Sequence, residues 1–244
     1  MRLAGTGRWM NLRAAENSWR LMLAANVLVL IGVFLFKLTR EPYVPYIHLL
    51  VDYHFGFTKR ALIGATTSLL VGKVPVWLVF ALGGAVWLVT AGLFIRLFRR
   101  TFGLGREHTP LLVFMAGSPF FLKNFMHTLG HFDIYGCVLA LGLLLAPAGS
   151  IAFLVLAALG SVILVLIHHV HLLMYVPTIG AIVLLRYYLP QGFNRQNLTL
   201  GIAAAVCVGL LFLWAQFYAT IAVPEAKFVE YLQSVWPTPP EPIC

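Results

Sequence analysis

The chain has 244 residues, 61% hydrophobic and 10% charged, with a formal net charge of +9. A soluble domain carries roughly 25% charged residues, and a soluble fold of this size has too little interior to hide so much apolar surface. The composition therefore excludes an ordinary soluble enzyme and makes lipid the natural solvent. No RNA- or DNA-binding motif accompanies the positive charge, so nucleic acid is set aside and the excess is assigned to basic loops beside anionic headgroups.

Arg2, Arg8, Arg13 and Arg20 precede an apolar run that starts at Leu21. The run continues past Phe36 with no small-residue cleavage site, so it reads as an uncleaved first span. A crossing takes ~20 mostly apolar residues, and seven spans follow, at 21–38, 74–98, 110–126, 132–147, 150–169, 171–189 and 198–222. The expected fold is all-α, a polytopic helix bundle over 1–223 with external loops at 39–73, 123–133 and 168–171. The first loop is predicted to hold two short interfacial helices. One lies near Tyr43, Pro45, Tyr46 and His48; the other is the short apolar segment 61–72.

The stretch 150–189 is almost continuously apolar and about two crossings long, so it must turn near its middle, at His168-His169-Val170-His171. After Val223 the tail carries Glu225, Glu230, Glu241 and Pro237, Pro239, Pro240 and Pro242, and 224–244 reads as a Pro-rich, exposed external linker. Threading in order places ten Lys and Arg on the N-terminal side and seven on the other, which predicts a cytoplasmic N-terminus. Lys59, Arg60 and Lys73 are exceptions to that bias, and anion binding is one explanation for them. Cys137, Cys207 and Cys244 form neither a disulfide framework nor a zinc ladder. The Asn197-Leu198-Thr199 sequon is a weak signal in a short loop.

Only two aspartates occur, Asp52 and Asp133. Both sit at the edges of long apolar stretches; ionisable groups at membrane depth are costly, so a cluster of them is a functional-site hypothesis by default. In Asp52-Tyr-His-Phe-Gly56-Phe-Thr-Lys59-Arg60 the carboxylate suits a general base, Lys59 and Arg60 suit a phosphate, and Gly56 allows a tight turn. The alternative is an interfacial Asp52–Arg60 ion pair with Lys59 on lipid headgroups. In the third loop Asp133 opens a helix, where a carboxylate can cap. His131 beside it suits positioning of a proton or binding of a phosphate oxygen. His168 and His171 lie at i, i+3 and would face one way if the helix continued, and with His169 they invite a divalent-metal reading, although no HExxH-type pattern supports it. Bis-histidine haem is disfavoured because these residues lie at helix ends.

The stretch Asp52-Tyr-His-Phe-Gly-Phe-Thr-Lys-Arg-Ala-Leu-Ile-Gly64, the Gly130-His-Phe-Asp133 step and the order of spans resemble the conserved module of the GT-C glycosyltransferases. The resemblance implies an inverting enzyme of the cell envelope, placed in a bacterial inner membrane. It would transfer a sugar from a polyprenyl-phosphate donor to an acceptor at the external face. Carried over, Asp52 is the catalytic base and Lys59 and Arg60 lie near the carrier phosphate. His131, Asp133, His168, His169 and His171 complete the pocket. The partners implied are the lipid-linked donor, membrane lipid and a membrane protein. Two departures are visible: Asp52 has no acidic neighbour, and no further helices follow the seventh span. The rival readings are a non-catalytic membrane subunit, or a transporter or metal- or haem-binding protein.

Overall fold

Every regular element among the described residues is helical. The computed structural model describes residues 6–39, 43–103, 105–118, 121–219 and 223–235. The side chains of 6–16 and of Tyr43 lie outside the description, as do Arg2, Arg40, Glu41 and the prolines and cysteine of 236–244. Three helices are long and apolar enough to cross a membrane: Asn17–Leu38, Trp77–Phe102 and Arg195–Tyr218. At ~1.5 Å per residue each exceeds the ~30 Å hydrocarbon core. Ile134–Leu145 and Ile151–Ile167 are apolar but shorter.

The chain forms two units, residues 1–41 with 94–129, and residues 42–93 with 130–244. In the first, α1 (Thr6–Leu38) packs on α5 (Thr109–Gly117) and α6 (Leu122–His127). Asn26 sits within the apolar run of α1, and its Nδ2 donates to the Val113 carbonyl at 3.4 Å, so the amide has a partner. Phe94, in the later part of α4 (Trp77–Phe102), meets Phe121 at 5.0 Å between ring centroids. The expected span over 110–126 is not one helix. Its first half ends at Gly117, and Ser118 adopts an extended ψ of 127°. Pro119 follows in the sequence, and a residue before proline is pushed out of the helical region.

The second unit begins with α2 (Tyr43–Leu50) and α3 (Ala61–Ser68), the two short helices expected in the first loop, followed by the start of α4. Next come α7 (Ile134–Leu145) and α8 (Ile151–Ile167). The apolar run then breaks at His168, which is extended, before α9 (His171–Met174) and α10 (Val176–Val183). A π-turn at Leu184–Tyr188 leads into α11 (Leu189–Gln191), and α12 (Arg195–Tyr218) and α13 (Glu225–Val235) close the unit. Helix α12 is capped by the Asn194 side chain, which accepts from the Asn197 amide at 2.8 Å. Asn197 is itself buried and its carbonyl accepts from Tyr188 Oη at 2.6 Å, so the sequon is part of the packing.

One apolar core joins α7, α8 and α10 through Leu143, Phe153, Ala157, Leu164, Ile179 and Tyr187. The Arg186 guanidinium reaches into it, donating to the Leu143 carbonyl and lying 5.8 Å from the Phe153 ring centre. A second core gathers Tyr46, Leu49, Leu50, Val74, Val79, Phe132 and Ile167. It ties α2, the start of α4, the start of α7 and the end of α8 to one place, and the polar groups below sit around it.

The tail departs from the expected linker. Residues 225–235 form α13, whose Phe228, Tyr231, Leu232 and Val235 are half-buried while Glu225, Lys227, Glu230 and Gln233 are exposed. The Val74 amide donates to the Val235 carbonyl at 3.2 Å, and Leu232 and Val235 pack on the second core.

Candidate functional site

The loop from α2 to α3 is shaped by its own side chains. Asp52 Oδ1 accepts from the His54 amide at 2.9 Å, an Asx turn. The Gly56 amide then donates to the Tyr53 carbonyl at 3.1 Å with Gly56 at φ 99°, a conformation only glycine takes easily. The buried Thr58 hydroxyl returns to the Asp52 carbonyl at 3.1 Å. Arg60 is the only described non-glycine residue with positive φ, at 65°, and it immediately precedes α3. Such a left-handed residue is strained by roughly 1–3 kcal/mol and persists only where its surroundings hold it.

The expected alternative, an Asp52–Arg60 ion pair, does not form. Arg60 Nη1 instead donates to His48 Nε2 at 3.0 Å. The second oxygen of Asp52 accepts from the Tyr231 hydroxyl of α13. Lys59 Nζ donates to the Gln216 carbonyl at the end of α12, at 3.0 Å.

His48 leads to the remaining expected residues. Its ring lies 5.4 Å from Phe132 and 6.4 Å from His131, edge-on to the latter. Gly130, at φ 89°, makes this approach possible, because a Cβ there would come 2.7 Å from Val79 and 3.0 Å from Pro45. Asp133 stands at the N-cap of α7 with a helical backbone and makes no capping hydrogen bond, so the capping role expected for it is not taken up. The fully buried His171 bonds through Nε2 to the Phe132 carbonyl at 3.1 Å. His168 and His171 share a side, with 5.5 Å between ring centres, through a turn rather than a continuing helix. His169 stacks on His168 at 5.4 Å and faces Phe212 of α12.

The expected residues thus fall into two linked sets. Arg60, His131, His168 and His171 gather with His48 around Phe132, and the Asp133 charge acts on His48. Asp52 lies at the other end of the loop, under α13. Lys59 and His169 flank the end of α12. Sequence reasoning left out His48 and Tyr231. His48 stands one turn before Asp52, and Tyr231 belongs to a 228/231/232/235 stripe of helical period that the neighbouring prolines masked.

The chemistry available is acid–base and anion binding. His48 Nε2 accepts from Arg60, so in the neutral ring Nδ1 carries the proton, and that buried atom has no partner. Nδ1 of His169 and of His171 is likewise buried and unpaired. Burial, then the Arg60 charge and His131, lower the His48 pKa to about 4 against a weaker opposing effect of Asp133. Burial raises the Tyr231 pKa, and its bond to Asp52 raises it further. Among the described residues no three His, Cys, Asp or Glu side chains are arranged to hold a metal ion.

The His48 shift has a consequence for stability. An unfolded imidazole protonates near 6.5, whereas the folded one resists protonation until about 4. Between these values the unfolded state binds the extra proton, so the stability that His48 contributes is lost as pH falls through that window. Thermal unfolding of detergent-solubilised protein from pH 7.5 to 4.5 should show this loss, and His48→Gln should flatten it. An unchanged pH slope in His48→Gln would mean that His48 is not held neutral.

An apolar groove of about 650 Å³ lies between α8, α10 and α12, lined by Ile151, Leu154, Ile179, Gly201, Ala204 and Val208 among others. It flanks the early turns of α8 and α12, whereas the histidines follow the end of α8, ~10 Å further along the axis. It is therefore separate from the polar cluster. Compared with known proteins, the chain matches no family, no curated protein and no solved structure.

Proposed function

We propose that the chain is a polytopic protein of a bacterial inner membrane, with about seven spans and a cytoplasmic N-terminus. In this reading it acts as an inverting GT-C-like glycosyltransferase at the external face. One observation carries the proposal: the first loop, the start of α4, the start of α7, the 168–171 turn and the end of α12 meet around the two linked sets of polar groups. In a seven-span thread these are the external ends of the spans concerned. Helices α8 and α12 also run parallel, as fifth and seventh spans must: their early residues share the groove, and their late ends meet at His169 and Phe212. Helices α2 and α3 then lie at the interface, where a lipid carrier arrives laterally.

In the proposed step the acceptor hydroxyl oxygen attacks the anomeric carbon and its proton passes to Asp52. The bond from that carbon to the carrier phosphate breaks, and its electron pair leaves with the phosphate. Arg60 and Lys59 stabilise the growing phosphate charge, and the His48 N–H offers it a hydrogen bond. Fixed cations in a water-poor site are effective at this task. A non-catalytic scaffold is the second reading, favoured by α1, whose apolar run has little protein cover.

The test is release of polyprenyl phosphate from a labelled polyprenyl-phosphate sugar by the full chain in proteoliposomes. Turnover that Arg60→Ala lowers by about 10²–10³-fold is expected. No release from any of a panel of such donors would remove the transferase reading in favour of the scaffold.

A further inference from the structure

We infer that α13 is a movable lid over Asp52, latched shut by the hydrogen bond from the Tyr231 hydroxyl to the Asp52 carboxylate. No residue of α13 is fully buried, and its inward stripe is only half-covered. Its hold on the unit combines that half-covered stripe, with Leu232 and Val235 on the second core and Phe228 beside Phe55, and a few specific contacts. The Tyr231 ring stacks on His54 at 4.3 Å and 10° and meets Phe55 edge-on at 5.2 Å. The Val235 carbonyl accepts from the Val74 amide. Elements with few buried contacts open most readily, and lids are drawn from them.

The two oxygens of Asp52 are held by different parts of the protein. Oδ1 is bonded within the loop, to the His54 amide, and Oδ2 is bonded to α13. Swinging α13 away therefore frees one oxygen and the face of the His54 ring that stacks on Tyr231, while the Asx turn keeps the carboxylate oriented. Closed, the lid withholds Asp52 from an incoming hydroxyl; open, it presents Asp52 already aligned. This bond holds α13 by a side chain at each end, outside the buried core. A latch needs such a contact, because it can be broken and remade without unfolding either partner.

What the lid regulates rests on the proposed role of Asp52, but its test follows the helix rather than the sugar, so lid and transferase can fail separately. Hydrogen–deuterium exchange of the full chain in detergent would be followed in peptides covering 225–235, with peptides from α8 and α12 as internal references. Tyr231→Phe removes only the hydroxyl and is expected to speed exchange in α13 by about tenfold, the order expected for losing one hydrogen bond to a charged group. Asp52→Ala removes the acceptor and should do the same, keeping the inference testable should either variant fail to fold. Asp52→Ala also removes the Asx turn, so the double variant should exchange no faster than Asp52→Ala alone, since the Tyr231 hydroxyl then has no bond left to lose. Unchanged exchange in α13, additive effects, or equal acceleration in α8 and α12 would each overturn the lid.

Discussion

On the proposed transferase reading, Asp52→Asn is expected to lower sugar transfer by about 10²–10⁴-fold, the range for losing a positioned general base, with the protein still folded. The substitution keeps the side-chain shape and one carbonyl oxygen, so the His54 amide retains an acceptor and the Asx turn survives. What disappears is the capacity to take a proton, together with the oxygen that accepts from the Tyr231 hydroxyl. Because nothing in the loop collapses, donor binding should change little and the loss should fall on turnover. The comparison is Asp133→Asn. Asp133 accepts no hydrogen bond among the described residues and acts on the cluster through its charge on His48. Its replacement should therefore cost much less. Reversed ranks would move the base to Asp133, and full activity in both variants would favour the scaffold. Circular dichroism and the melting temperature of each variant separate lost chemistry from lost fold.

The largest structural effect is expected at Gly64. A Cβ added there would overlap the Val51 carbonyl and come 2.9 Å from the Leu49 carbonyl oxygen. Both are backbone atoms at the end of α2, so no side-chain rotation relieves the clash. The residue after Val51 is Asp52, and α3 follows directly on the strained Arg60. Gly64→Ala must therefore part α2 from α3 and disturb both ends of the loop. Overpacking of this kind costs about 1–3 kcal/mol, read as a lower melting temperature in detergent. Gly72→Ala is the control: nothing lies within 4 Å of its added Cβ, so an effect within about 0.5 kcal/mol is expected. Equal stability of the two variants would show that α3 does not need its close seat against α2.

Where the sequence was misleading, the physical causes differ. Over 110–126 the hydropathy is that of a span, but hydropathy is blind to backbone restriction, and the helix stops at Ser118 ahead of a proline. Over 224–244 the prolines dominated the reading and concealed the stripe of Phe228, Tyr231, Leu232 and Val235, which folds as α13. Between His168 and His171 helical spacing and a turn both place the two rings on one side, so that pairing was legible although the backbone differs.

By itself the sequence determined what depends on composition and local period. It specified an all-helical chain, two short helices in the first loop and a break inside the run from 150 to 189, while of the seven spans it suggested three helices among the described residues are long and apolar enough to cross a membrane. It also pointed to the loops where the ionisable residues lie. Tertiary structure alone decided the partners: Arg60 with His48 rather than Asp52, Lys59 with Gln216, His171 with the Phe132 carbonyl, and Tyr231 with Asp52. Burial of an apolar period is a property of each segment and can be read along the chain. The partner of a charged or polar group depends on which segments meet, and Asp52 and Tyr231 are 179 positions apart.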